Sequence, residues 1–108
     1  MTNAIKSFIP VLELLKNLSL KEKTHYLKTA NPKLVKFLSD ICYNILLNTL
    51  KPSEELLRTL KPNRSVIEKL GKRGLSLKER RKILARKNLF DKIFVPLIPC
   101  LIDHLSSP

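Results

Sequence analysis

Apolar residues in this chain recur every three or four positions, in short runs that each open on a capping signal and close on a breaker. No other feature narrows the fold so far. A period near 3.6 with frequent stops describes short packed helices, whereas strands need strict alternation. The run after Asn31-Pro32 is the clearest. Asn is a favoured cap and Pro a favoured first helical residue. Leu34, Val35, Leu38, Ile41, Cys42, Ile45 and Leu46 then repeat at threes and fours to roughly Leu50. Phe37, Leu47 and Leu50 widen that stripe, which predicts a central helix covered on more than one side. Gly71 and Gly74 are the only glycines in 108 residues, too few for the many tight turns of a sandwich or barrel. The predicted fold class is therefore all-α: a compact bundle of about five to six short helices with a Pro-containing apolar C-terminal segment.

The remaining boundaries follow from the same chemistry. Phe8, Ile9, Leu12, Leu15 and Leu18 predict a helix from Ser7 to Leu20, with Pro10 tolerated in its first turn. Ser19-Leu20-Lys21-Glu22 is a capping box and opens a short helix to about Ala30. Pro52-Ser53-Glu54-Glu55 starts another around Leu56, Leu57 and Leu60, and Val66, Ile67 and Leu70 mark one more before the glycines. A second capping box, Ser76-Leu77-Lys78-Glu79, opens a basic helix to about Lys87, ended by Asn88. By character the chain divides into a leucine-rich helical domain (1–70), a basic helix (71–88) and an apolar tail (89–108).

Charge is distributed as unevenly as hydropathy. The chain carries 21 Lys and Arg against 9 Asp and Glu, a net charge of +12, which points to a polyanionic partner. Between Lys69 and Lys87 there are nine basic residues and one acidic one, net +8 in nineteen positions. On a helix from Leu77, positions 78, 82 and 86 share one side, with 80, 81 and 87 beside them. Like charges at that spacing repel by a few tenths of a kcal/mol per pair, and phosphates would relieve the repulsion. The candidate nucleic-acid contacts are Lys69, Lys72, Arg73, Lys78, Arg80, Arg81, Lys82, Arg86 and Lys87. No zinc-finger spacing or interleaved aromatics accompany them, so the expected mode is sequence-independent phosphate binding, on double-stranded DNA. The bland reading of the same run is a solvated face that keeps a leucine-rich domain soluble.

Chemistry beyond charge has little support. Cys42 and Cys100 are isolated, as are His25 and His104, so neither a disulfide framework nor a metal site is expected. No phosphate-cradling glycine loop or nucleophile elbow occurs. The expectation is a non-enzymatic protein without a cofactor, in a reducing intracellular setting and without a secretory signal.

The tail allows two readings. Phe90, Ile93, Phe94, Leu97, Ile98, Leu101 and Ile102 lie in an apolar stretch interrupted by Pro96 and Pro99. They could close a helical core or form a homo-oligomer interface. Alternatively, they could contact an anionic membrane or dock on a capsid or partner protein, with the basic helix assisting. The apolar decamer is too short to cross a bilayer, which needs about 20 residues.

Two longer stretches carry a resemblance. Leu27-Lys28-Thr29-Ala30-Asn31-Pro32-Lys33-Leu34-Val35-Lys36 and Leu38-Ser39-Asp40-Ile41-Cys42-Tyr43-Asn44-Ile45-Leu46 resemble the centre of a family of small basic proteins encoded by adintovirus-like and adomavirus-like DNA elements. The Pro52-Ser53 turn, the segment from Lys72 to Leu84 and the apolar Pro-containing close follow in the same order. Where that family often has a Gly-Gly pair before the tail, this chain has Asn88-Leu89. The resemblance implies a virion core component, likened to the small basic core peptide of adenoviruses, that condenses DNA in the virion and host nucleus.

Overall fold

Each capping signal read from the sequence starts a helix in the computed structural model, which describes residues 2–72 and 74–106. Among these, the order is α1 (Thr2–Asn17), α2 (Leu20–Lys28), α3 (Pro32–Leu46), α4 (Glu54–Leu60), a 3-10 turn (Lys61–Asn63), α5 (Arg64–Gly71), α6 (Leu77–Leu84) and α7 (Leu89–Ser106). Ser19 closes both halves of its capping box: its Oγ accepts from the Glu22 N–H at 3.2 Å, and its own N–H donates to Glu22 Oε1 at 3.0 Å. Asn31 caps α3 by accepting from the Lys33 N–H at 2.8 Å, with Pro32 at the first helical position. Ser53 caps α4 through the Leu56 N–H at 3.2 Å. The all-α bundle is the observed architecture.

Three boundaries move. α1 begins at Thr2 rather than Ser7, so Pro10 lies inside the helix instead of in its first turn. The extension buries Ile5 completely, while the Pro10 ring stays exposed. α3 stops at Leu46, short of Leu50, because Asn48 takes a left-handed conformation (φ 59°). The Asn48 N–H then donates to the Ile45 carbonyl at 3.0 Å and the Thr49 N–H to the Asn44 carbonyl at 2.9 Å. This is the paired-bond helix ending in which Asn substitutes for the usual Gly. Leu50 still reaches the core, from the loop. α6 ends at Leu84 rather than Lys87, and the chain turns through Asn88 (φ 64°) into α7. Asn88 adopts the backbone angle that glycine favours.

The tail is an 18-residue helix that holds Pro96 and Pro99 within it. It is not apolar all round in what it buries. Phe90, Ile93, Phe94, Leu97, Ile98 and Leu101 face inward, whereas Pro99 and Ile102 are exposed. The inward face packs along α1 and against α4, while α3 packs on α5 and α2 on α6. Buried side chains from all three sequence segments form one cluster, from Ile5 in α1 to Leu101 in α7. The contrast between segments is thus one of surface character, over a shared core. Phe8 stacks on Phe37 with ring centroids 4.8 Å apart, tying α1 to α3. Burial of a side chain such as Phe94 contributes about 1.5–3 kcal/mol. Lys23, largely buried on α2, meets Asp91 in the first turn of α7 at 2.6 Å.

Gly71 permits a close approach of α5 to α3. A Cβ there would lie 3.0 Å from Leu46 Cδ1 and 3.1 Å from the Tyr43 backbone nitrogen, so α5 can end directly against α3 only without a side chain. Gly74, at φ +100°, supplies the turn that sends the chain back into α6.

Candidate nucleic-acid interface

α6 is held by polar bonds as much as by its apolar face. Ile83 and Leu84 are buried, and Ser76 Oγ accepts from the Glu79 N–H at 3.1 Å to start the helix. Its two arginines turn inward. Arg80 donates through Nη1 to Ser39 Oγ at 2.8 Å and to the Leu70 carbonyl, through Nη2 to the Lys72 carbonyl at 2.7 Å, and through Nε to the Leu75 carbonyl at 3.3 Å. One planar guanidinium therefore gathers the end of α5, the α5–α6 turn and the middle of α3. Arg81 donates through Nε (2.9 Å) and Nη2 (2.6 Å) to the Ala30 carbonyl, at the corner between α2 and α3.

The sequence placed Arg80 and Arg81 among the candidate phosphate contacts, with the lysines. Their positive charge still adds to the local field, but all three nitrogens of the Arg80 guanidinium, and Nε and Nη2 of Arg81, already donate within the fold. Both are only partly exposed. Lys78 and Lys82, four residues apart on the outer side of α6, are exposed and have no ion-pair partner among the described residues. Ion-pair partners are likewise absent, among those residues, for Lys69 in the last turn of α5, Lys72 at its end, and Arg86 and Lys87 in the turn before α7. Arg73 lies outside the described residues.

The bonds of the arginines also decide what stands next to the lysines. The Arg80 bond to the Lys72 carbonyl draws Lys72 to the base of α6. The Arg81 bonds draw in the α2–α3 corner, where Lys28 and Lys33 flank Ala30 and are both exposed. Those two lysines were missed by the sequence reading. They stand some fifty residues from α6, and it is tertiary structure, the packing of α2 on α6 and the Arg81–Ala30 bonds, that brings their corner to it.

Elsewhere the side chains are quieter. Cys42 is fully buried in α3, and that burial pushes its thiol up to about 12, with the nearby Arg80 charge opposing in part. Tyr26 and Tyr43 pack with exposed edges. A cavity of about 670 Å³ lies between α4 and the far half of α7, with Glu55, Pro96, Cys100 and His104 among its walls. The Cys100 thiol there is raised by partial burial and by Asp103, the reverse of what an activated nucleophile needs. No group of three His, Cys, Asp or Glu side chains converges on a metal-sized site among the described residues. No helix is long and apolar enough to cross a membrane among them either. Comparison with protein-family models, with curated proteins and with solved structures finds no match.

Proposed function

We propose that this chain is a non-enzymatic protein that binds double-stranded DNA through its phosphates, without reading sequence, as a virion core component acting in the particle and the host nucleus. The observation that carries the reading is the row of cations on and beside α6, unpartnered by carboxylates among the described residues, on a chain of net charge +12. Phosphates compensate such a row and release counterions as they do so. The viral setting rests on the sequence resemblance alone. The rival reading, a tail that inserts or docks, asks for apolar side chains that this fold packs into its core.

Filter binding of duplex DNA at rising salt tests the proposal. With Lys69, Lys72, Lys78, Lys82, Arg86 and Lys87 all engaged, log K should fall with log salt at a slope of about −5. Absence of binding at low salt, or affinity that stays flat as salt rises, would overturn it.

A further inference from the structure

A second surface, away from α6, combines exposed leucines with unpaired cations. The groove between the end of α3, α4 and the start of α5 has a volume of about 380 Å³. Its floor includes Leu46, Leu57 and Ile67, and Arg58, Lys61 and Arg64 stand on its rim. Leu46 and Leu57 are 42 % and 46 % exposed, and the adjoining Leu47 is 55 % exposed. Arg58 and Lys61 have no ion-pair partner among the described residues, and Arg64 makes only a solvent-exposed pair with Glu68 at 2.9 Å.

We propose that this groove docks an acidic amphipathic helix of a partner protein. The two halves of the recognition are complementary to such a segment and to little else. Leucines spaced i, i+3/i+4 and i+7 would enter the apolar floor, and Asp or Glu on the flanks would meet the three rim cations. Duplex DNA would satisfy the rim but leave the leucines against a charged backbone. A second copy of this chain would bring its own +12 charge to the same cations. A membrane is met by a convex apolar face, and this one is recessed between helices. The proposal is independent of the DNA reading, because none of its residues belongs to the α6 surface.

Fluorescence anisotropy with the full chain tests it. The probe is a labelled three-turn helical peptide with leucines at i, i+3, i+4 and i+7 and glutamates elsewhere. Its controls are a scrambled peptide of the same composition, duplex DNA, and phosphatidylserine vesicles. The patterned peptide should bind, and Leu57→Asp should weaken it about tenfold, as truncating an anchor at a docking site does. Arg58→Glu with Lys61→Glu, which leaves the apolar floor intact, should weaken it at least as much, while DNA affinity barely changes. Three results would overturn the proposal: equal binding of the scrambled peptide, insensitivity to both variants, or a Leu57→Asp effect confined to vesicle binding or self-association.

Discussion

Arg80 and Arg81 stand between Lys78 and Lys82 on α6, and the fold treats the two pairs in opposite ways. The arginines point back toward α3, α5 and the α2–α3 corner, where their donors meet main-chain carbonyls. The lysines meet no carboxylate among the described residues. The division follows from side-chain chemistry. A guanidinium presents several fixed donors in a plane and is weakly hydrated, so it can serve helix ends at the rim of a core. An ammonium is a compact, strongly hydrated charge, better left in water or given to a phosphate. One basic helix thus holds the fold together on one side and presents charge on the other.

The most severe way to break that comparison is Arg80→Ala. It strips donors from the Leu70, Lys72 and Leu75 carbonyls and from Ser39 Oγ in one step. Partial exposure lets water repay some of this, so the expected loss is about 2–3 kcal/mol in urea unfolding. Arg80→Lys should recover less than half, since an ammonium cannot fork across those carbonyls. A loss below about 0.5 kcal/mol would place Arg80 with ordinary surface residues. Cys42 gives an independent readout, because its thiol is buried nearby and reacts only when the region opens. Its labelling should speed up about 30- to 150-fold in Arg80→Ala, the same free energy expressed as a rate. The sign of the pH effect follows from the raised thiol. The unfolded chain ionises first, so the contribution of Cys42 is full below about 9 and is lost as pH rises toward about 12.

Arg81→Ala should cost less, about 1–2 kcal/mol, since only the Ala30 carbonyl loses its donors. It has a second consequence. The α2–α3 corner, on which Lys28 and Lys33 are exposed, loses these bonds to α6. DNA affinity should therefore fall in Arg81→Ala by more than it does in Arg81→Lys, measured at one salt concentration. Wild-type affinity in Arg81→Lys would mean that the charge of Arg81 matters and its anchoring does not.

What the sequence made legible follows from which interactions are local. Helix starts depend on residues three apart, so Ser19, Asn31, Ser53 and Ser76 could all be read as caps. Helix ends were less visible, because Asn48 and Asn88 act through backbone angles that many sequences can adopt. The apolar stripe of α3 announced the core, and in the tail Phe90, Ile93, Phe94, Leu97, Ile98 and Leu101, three or four positions apart, are the residues that face inward. Ile102, read together with them, is exposed instead, on an outer face that also carries Lys92, Pro99 and Asp103. The roles of the arginines were hidden for a different reason. Arg80 and Ser39 are 41 positions apart, and Arg81 and Ala30 are 51 apart. A run of like charges reads as one patch until such long-range bonds divide it.

The lysine side of the comparison is sharpened by a double variant, Lys78→Ala with Lys82→Ala. Neither side chain has an ion-pair partner among the described residues, so unfolding free energy should change by less than about 0.5 kcal/mol, or rise slightly as their mutual repulsion disappears. The salt slope of DNA binding should become shallower by about 2, because each phosphate left unneutralised keeps its condensed counterion. A large stability change with an unaltered slope would reverse the roles assigned to the two sides of α6.

The smallest expected effect concerns the two capping boxes. At α2 the exchange is reciprocal, and the Ser19 hydroxyl and N–H hold the Glu22 carboxyl below its usual value. At α6 only the Ser76 half forms among the described residues. Glu22→Gln and Glu79→Gln therefore compare a closed box with a half-closed one at the start of two short helices that pack on each other. Because the folded value of Glu22 is depressed, its contribution is present above the unfolded carboxylate range near 4.3 and fades as pH falls through the folded value. The wild-type chain should thus lose slightly more stability on acidification than Glu22→Gln does, in thermal melts at matched ionic strength. Glu22 is fully exposed, so water screens the effect and it should be the faintest measured. An acid dependence that follows Glu79 and not Glu22 would mean that the closed geometry at Ser19 contributes nothing beyond the serine cap itself.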